Sequence, residues 1–313
     1  MGKLWNYIRG NFLYLLEWKI EIRKECRYEK KGLCEYYLKK WYKRKTGEKL
    51  NLEYPQTFTE KQQWLKINSV TKLKTLCADK YKVREYIKHT IGEEYLIPTI
   101  PLRQQECFKN AYEICYEELP QTFVIQCNHG AHMTHIVKDK RVLPKWKYRI
   151  LQKRLNEELK INYAYCHGYE LQYRDIPPCI FLTAYLESAQ DIPDYKFFFF
   201  YGKMEFFFVD QDRFGVHKRT VFDSSYEPAK FQFNKYPRIK FKIDREVCQR
   251  MVQLAQKLAA PFDCVRVDLY CYQGRIYFGE LTFSSASGVK IMKPTETNYE
   301  LGKLIVIGKK TIE

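Results

Sequence analysis

Arg266-Val-Asp268-Leu-Tyr-Cys-Tyr-Gln-Gly274-Arg-Ile-Tyr-Phe-Gly-Glu280-Leu-Thr282-Phe decides how this chain is read. Apolar residues alternate into a Gln-Gly turn and out again, the pattern of a β-hairpin. Each arm carries one carboxylate in an otherwise apolar strand. An acid so placed loses hydration unless a cation, a proton or a hydrogen-bond donor compensates, and two of them together point to a metal site. The turn settles whether they meet. A two-residue Gln273-Gly274 loop pairs Asp268 with Gly279 and puts Asp268 and Glu280 on opposite faces. A three-residue loop with Gly274 left-handed pairs Cys271 with Arg275, and Arg266, Asp268, Phe278, Glu280 and Thr282 then share a face. The second geometry is the one predicted.

The rest of the chain bounds the setting. Its 313 residues, 45% hydrophobic, suffice for one large domain or two smaller ones with their own cores. No window of about 18 apolar residues occurs, so no membrane-spanning helix is expected. The aromatic run from Phe197 to Val209 is broken by Tyr201-Gly-Lys203-Met-Glu205 and reads as another hairpin. The apolar patch Phe12 to Trp18 is short and lacks a small-residue cleavage site, so no secretory leader is expected. Eleven cysteines, an odd number with no Cys-x-x-Cys pair, predict reduced thiols in the cytoplasm, each acting as a small buried hydrophobe.

Charge is unevenly placed. Residues 1–50 hold 14 Lys/Arg against 6 Asp/Glu, +8 of the formal +17. Trp5, Tyr7, Phe12, Tyr14, Trp18, Tyr28, Tyr36, Tyr37, Trp41 and Tyr42 are interleaved with these charges. Basic, aromatic helices suit an anionic membrane surface, with rings at headgroup level and lysines near phosphates. Nucleic acid needs the same residue types, but no RNP-like, zinc-finger or helix-turn-helix signature accompanies them. The third reading is a solvated helical cap that packs its aromatics on the main domain.

Residues 1–50 read as helical to about Thr46-Gly47. A capping box at Thr59-x-x-Gln62 starts a helix through Leu65, and Leu73 to Lys88 reads as one more. Phe123 to Asn128 is a strand, followed by a His-rich turn and a helix from about Pro144 to Ile161. Cys179 to Leu186 and the two Phe-rich arms around Gly202 are strands. Asp244 to Ala259 is an amphipathic helix with Val247, Met251, Leu254 and Leu258 on its stripe. Hairpins with helices between them predict an α+β fold rather than a parallel βαβ sheet.

Arg-x-Asp, a hairpin, then Glu-x-Thr resembles the magnesium-binding end of ATP-grasp enzymes. The closer resemblance is to the TupA-like ATP-grasp family of bacterial surface-polysaccharide clusters. It rests on Thr57-Phe-Thr-Glu60-Lys-Gln-Gln-Trp64, Asp79-Lys-Tyr-Lys-Val-Arg84-Glu-Tyr, Cys127-Asn128-His129-Gly130, Pro193-Asp194-Tyr195-Lys196-Phe and Gly279-Glu-Leu-Thr-Phe, in that order, from about Asn51 to Leu304. The resemblance implies an ATP-grasp-like fold. Two antiparallel-sheet α/β lobes, about 51–187 and 188–313, would enclose a nucleotide cleft behind the basic helical segment 1–50. It also implies ATP and Mg2+ as cofactors. Asp268, Glu280 and Thr282 would hold the metal on the phosphates, and Arg266 would stabilise charge on the transferred phosphoryl group. Lys196 would point into the cleft at phosphate or an anionic substrate. The plain alternatives are a weak cross-strand ion pair between Arg266 and Glu280 and an edge lysine at 196.

On the nucleotide side the resemblance implies Gln126, His129, Gly130 and Glu187 as contacts, with departures. Gln126 stands where the family pattern has lysine, and Gly130-Ala131-His132 where it has Gly-Ser-Gly. Thr183-Ala184 replaces the acids near the adenine, leaving Glu187 for the ribose, and Ser285-Ala286 replaces Pro-Gly. His129, His132 and His135 lack the spacing and acidic partners of a zinc site, so a phosphate contact by His129 or His132 is the better reading. The function implied is Mg-dependent carboxylate–amine ligation in surface-polysaccharide assembly, through an acyl phosphate on a uronic-acid-type carboxylate. Asp210, Arg213, Lys218 and Arg219 would face an anionic saccharide or saccharide-lipid. Cytoplasmic residence, peripheral at the inner membrane face, follows from the same reading. Two alternatives compete: a glycosyltransferase using Asp210-x-Asp212 as its metal acids, and a non-catalytic binding protein of the same fold.

Overall fold

The computed structural model of the protein describes residues 2–186, 192–211, 216–233, 236–237, 239–290 and 292–308. Helices α1 (Gly2–Lys30), α2 (Cys34–Thr46), α3 (Phe58–Asn68), α4 (Lys72–Ala78) and α5 (Val83–Thr90) precede the first strands. These are β1 (Cys107–Phe108), β2 (Phe123–Cys127) and β3 (Thr134–Val137). There follow α6 (Lys145–Glu158), β4 (Ile180–Thr183), β5 (Asp194–Phe200), β6 (Lys203–Gln211), β7 (Lys218–Asp223) and β8 (Gln232–Phe233). Then come α7 (Arg245–Ala259), β9 (Cys264–Tyr272), β10 (Arg275–Thr282), β11 (Met292–Lys293) and α8 (Glu296–Lys303). The chain forms two compact units. One comprises residues 1–37, 79–82 and 97–187, and the other 38–78, 83–96 and 188–313. Both sheets of more than two strands are antiparallel, so the fold class is α+β.

In the first unit, a four-stranded sheet of order β1-β4-β2-β3 buries Phe123, Ile125 and Leu182 with Leu151 and Leu155 of α6. Helix α1 enters this core through Leu15 and Trp18, the latter edge-on to Tyr163 at 5.6 Å. Its Glu25 is fully buried and accepts the amides of Gly168 at 2.9 Å and Tyr169 at 3.0 Å, which satisfies a carboxylate that burial alone would make costly. Of α2, Tyr37 in this unit and Trp41 and Tyr42 in the other are buried too. The expectation of reduced thiols is corrected at one pair: Cys107 and Cys179 form a disulfide, Cα–Cα 5.9 Å, while nine other cysteines are free. Antiparallel pairing of β1 with β4 brings together two residues 72 positions apart, which no spacing rule could reveal.

Two helix readings are also corrected. The single helix expected from Leu73 to Lys88 is two, because Asp79 Oδ1 accepts the amides of Tyr81 at 2.9 Å and Lys82 at 3.0 Å and so diverts the backbone between α4 and α5. The capping box sits two residues earlier than expected. Thr57 Oγ1 accepts from the Glu60 amide at 3.2 Å, and Glu60 Oε2 accepts from the Thr57 amide at 3.0 Å. Thr59 instead accepts the Asn298 amide side chain at 3.0 Å and lies 2.9 Å from the Tyr42 hydroxyl.

The second unit is built on a five-stranded sheet of order β10-β9-β5-β6-β7, with β8 and β11 as a separate pair. Strands β5 and β6 turn through Tyr201-Gly202, both with positive φ (48° and 76°), the two-residue connection whose twist matches that of the strands. One face buries Tyr195, Phe197, Val267 and Leu269 and is met by α7, whose buried stripe is Cys248, Met251, Ala255 and Leu258. That stripe lies one position off the expected one at two of its four places. The other face carries Phe198, Phe206, Phe208 and Val221 into a core shared with Phe58, Leu65 and Leu301. Beyond those rings, the same face turns charged.

Candidate site on the charged face of the five-stranded sheet

The hairpin that carries Asp268 and Glu280 does not have the expected turn. Tyr272 pairs with Arg275, so Gln273-Gly274 is a two-residue loop with φ of 51° and 74°. Uninterrupted, that register would separate the two acids. A bulge between Phe278 and Glu280 restores them: Phe278 pairs with Leu269, Glu280 with Asp268 and Thr282 with Arg266. Phe278 therefore leaves the expected face, while Arg266, Asp268, Glu280 and Thr282 share it. The bulge residue is Gly279. A Cβ there would lie 2.8 Å from the Tyr270 ring and 3.1 Å from the Asp268 carbonyl oxygen.

Strand pairing extends the cluster. Lys196 lies opposite Asp268, Asp194 opposite Asp210, and Asp210 opposite Arg219. Lys196 is buried on the central strand, which overturns the edge-lysine alternative. Its ammonium donates to Asp268 and forms an ion pair with Asp194 at 2.6 Å. Arg266 donates from Nε to Asp268 Oδ1 at 2.6 Å and from Nη2 to Asp268 Oδ2 and Glu280 Oε1, both at 2.7 Å. The Thr282 hydroxyl donates to the same Glu280 oxygen at 3.0 Å. Burial pushes the Asp268 carboxyl up, but the charges of Arg266 and Lys196 outweigh it and hold the group at about 2. Burial works against the Arg266 guanidinium, yet Asp268 and Glu280 raise it further above its already high value.

Arg266 is held from a third side. Its Nη1 donates to Ser285 Oγ at 2.9 Å. Ser285 begins a turn in which Ala286 and Ser287 both take left-handed φ (50° and 56°), costly for residues with a Cβ. Helix α3 fixes that turn: Gln63 Nε2 donates to the carbonyls of Ser287 at 3.0 Å and Gly288 at 2.8 Å, and Lys66 Nζ donates to Ser287 at 3.2 Å. The Ser-Ala departure from Pro-Gly thus supplies a hydroxyl to the arginine.

Toward β7, Asp210 is buried, and Arg219 chelates it at 2.6 and 2.7 Å. Burial raises the Asp210 carboxyl and Arg219 more than reverses the shift. The guanidinium lies 3.8 Å over the Phe208 ring and 5.0 Å from that of Tyr236, so Arg219 is packed and paired rather than open to solvent. Lys218 is half-buried at the end of β7, opposite Gln211. Arg213 and Asp212 lie outside the described residues, as does Glu187.

Gln126, His129 and Gly130 belong to the other unit. Gln126 Oε1 accepts from the Thr134 hydroxyl at 3.1 Å. His129 is buried with Nε2 3.2 Å from the Glu158 carbonyl oxygen, and burial lowers its pKa, favouring the neutral ring. At Gly130 a Cβ would meet the Tyr163 ring at 2.7 Å, so the glycine there serves close packing. His135 sits in a buried pair with Glu158 at 3.0 Å, and Arg154 donates to the same carboxylate at 2.8 Å.

Two carboxylates and a hydroxyl are oxygen donors of the class magnesium takes together with phosphate oxygens. Glu280 fits that use, with its side chain 40% exposed. Asp268 is only 1% exposed and both its oxygens are engaged by cations. Among the described residues, no three His, Cys, Asp or Glu side chains form a ready-made metal cluster. The donor set therefore fits a metal shared with a bound ligand, with Glu280 and Thr282 outermost and Asp268 fixing the cations beside them.

Sequence reading missed Asp194 as a site residue, although its period-two relation to Lys196 puts both on one face. It also missed His217, whose Nε2 is 3.0 Å from Asp210, and Tyr236, which stacks on His217 at 4.0 Å. Lys290 was missed as well, and it follows an irregular segment where no periodicity operates.

A model of the TupA-like ATP-grasp family matches residues 60–306. No curated protein gives a match. Among solved structures, D-alanine–D-alanine ligase from Bacillus anthracis is similar at 14% identity over 73% of this chain and 64% of that one, with a TM-score of 0.40. The corresponding ligase from Helicobacter pylori gives 10% identity, 80% and 69% coverage and a TM-score of 0.41. N5-carboxyaminoimidazole synthetase from Staphylococcus aureus, solved with ADP, gives 11%, 66%, 44% and 0.36. This chain thus spans less than two thirds of the first and last of these proteins. The family model takes in α3 from Glu60 onward, the Lys196 strand and the whole hairpin of the charged face, and by that match the chain belongs to the TupA-like ATP-grasp family.

Proposed function

We propose that the protein is an Mg-dependent ATP-grasp carboxylate–amine ligase of surface-polysaccharide assembly. The observation that supports this best is the interlocked set Asp194–Lys196–Asp268–Arg266–Glu280–Thr282 on one sheet face, inside the stretch that matches the family. In the proposed reaction, a carboxylate oxygen of a uronic-acid-type substrate attacks the γ-phosphorus of ATP and ADP leaves. An amine nitrogen then attacks the acyl phosphate, phosphate leaves, and the nitrogen loses a proton as the amide forms. No covalent nucleophile from the chain is needed, so position and charge carry the rate. Arg266, pinned by Asp268, Glu280 and Ser285, presents a guanidinium whose orientation is set before ligand arrives. Lys196 is fixed the same way by Asp194 and Asp268. Bound magnesium would neutralise phosphate charge, with Glu280 and Thr282 as its ligands from the chain. The basic, partly exposed α1 suits residence at an anionic membrane surface, where a saccharide-lipid substrate would be met.

The test is calorimetric titration with a non-hydrolysable ATP analogue and Mg2+, on wild type and Glu280→Gln. Glu280 is the probe of choice because its partial exposure keeps the folding cost of losing its ion pair near that of surface pairs, up to about 1 kcal/mol. Magnesium-dependent binding that weakens about tenfold or more in E280Q is expected. No binding by folded wild type would remove the ligase reading and favour the non-catalytic one, to which Gln126 in place of lysine already lends weight. The glycosyltransferase reading requires Asp210 to leave Arg219 for a metal.

A further inference from the structure

On the charged face, each cation named above has carboxylate partners: Lys196 has Asp194 and Asp268, Arg266 has Asp268 and Glu280, Arg219 has Asp210. Lys290 has none. It lies half-buried between Gly288 and β11, and among the described residues it makes no hydrogen bond and no ion pair. What surrounds it is a ring and more positive charge. Its Nζ is 5.9 Å from the Tyr236 ring, the ring that also stacks on His217 and lies beside the Arg219 guanidinium. Burial first, then the charges of Arg219, Arg266 and Lys196, push its ammonium down to about 8, with Asp210 as the opposing influence. Keeping a partly desolvated cation among cations costs folding energy, and a bound anion is what recovers it.

We infer that Lys290, beside the Tyr236 ring, forms an oxyanion-binding subsite on this sheet face that takes a phosphoryl or carboxylate oxygen of the ligand. The inference rests on the ligase reading for the source of that oxyanion, and adds a binding residue outside the motifs that define the face. An ammonium carries three donors and gives short, charge-assisted hydrogen bonds to either group.

Full-length wild type, Lys290→Met and Lys290→Arg decide it. Three quantities are measured: Tm without ligand, affinity for the Mg–ATP analogue, and affinity for D-glucuronate in the presence of that analogue. K290M should raise the ligand-free Tm, since it removes a partly desolvated charge set among other cations while keeping the aliphatic volume. It should also weaken one of the two affinities about tenfold or more, and K290R should recover most of that loss. Weakened nucleotide binding identifies the phosphoryl group; weakened glucuronate binding alone identifies the carboxylate. If K290M lowers Tm and leaves both affinities unchanged, or if K290R recovers nothing, Lys290 is a packing residue and the subsite does not exist. Wild type that binds neither ligand would overturn the ligase reading and this inference together. Wild-type binding that K290M leaves intact would overturn this inference alone.

Discussion

Asp268 and Glu280 face each other across two strands, yet solvent gives them different work. Asp268 is buried under two cations, and removing it leaves Arg266 and Lys196 without their shared counter-charge, a loss of about 3–5 kcal/mol for a broken buried pair. An alanine there tests folding as much as chemistry. Its pH dependence follows from the depressed carboxyl. The stabilisation is complete above the ordinary aspartate value of about 3.9 and disappears as pH falls toward about 2, where the folded-state group takes its proton. Urea unfolding of wild type and Asp268→Asn at pH 6, 4 and 2.5 should therefore show a stability gap that narrows toward the acid end. A gap constant across that range would mean the carboxylate's charge is not what stabilises. The motif residues Arg266, Asp268, Glu280 and Thr282 were legible in the sequence because strand alternation and the Arg-x-Asp and Glu-x-Thr spacings are local. Lys290 was not, since its significance lies in what surrounds it.

At the scale of the element, the hairpin shows how a local feature can be misread while its consequence survives. Gln-Gly permits both a two-residue and a three-residue turn, and nothing in the strands themselves chooses. The fold takes the two-residue turn and corrects the register with a bulge at Gly279, where backbone and ring approach too closely for a side chain. Gly279→Ala should cost about 1–3 kcal/mol through overpacking and lower affinity for the Mg–ATP analogue, because straightening the bulge would move Glu280 off the face of Asp268. Chemical denaturation and the same titration check both effects, and an alanine variant as stable and as tightly binding as wild type would show that the bulge does not hold the acids together. Helix signals behaved similarly. The Thr57/Glu60 capping box is a local pattern, but choosing it over Thr59/Gln62 depends on Thr59 being engaged by Tyr42 and Asn298.

For the whole molecule, the excess of positive charge over residues 1–50 and the burial of Trp18, Tyr37, Trp41 and Tyr42 have to be read together. Those rings are spent on packing. Among the described side chains of α1, Tyr14, Leu16 and Ile20 are the exposed large apolar ones, and Leu16 and Ile20, 56% and 45% exposed, lie on the helical face that continues to the exposed Arg23 and Arg27. Leu16→Glu/Ile20→Glu should reduce retention on vesicles containing anionic phospholipid, in a salt-sensitive manner, without lowering Tm; retention equal to wild type would remove the membrane proposal. Among the described residues no helix is long and apolar enough to cross a membrane. By itself the sequence determined the α+β class, the strands with period-two alternation, the family through its ordered blocks, and the acids and arginine of the hairpin, since each depends on neighbours within a few residues. Only the tertiary structure decided the bulge that unites Asp268 and Glu280, the Cys107–Cys179 disulfide, the capture of Asp210 by Arg219 and the placing of Lys290 beside Tyr236 among other cations. These are set by which strands lie side by side and by which charges find partners there, and pairing across the chain is information that no local pattern carries.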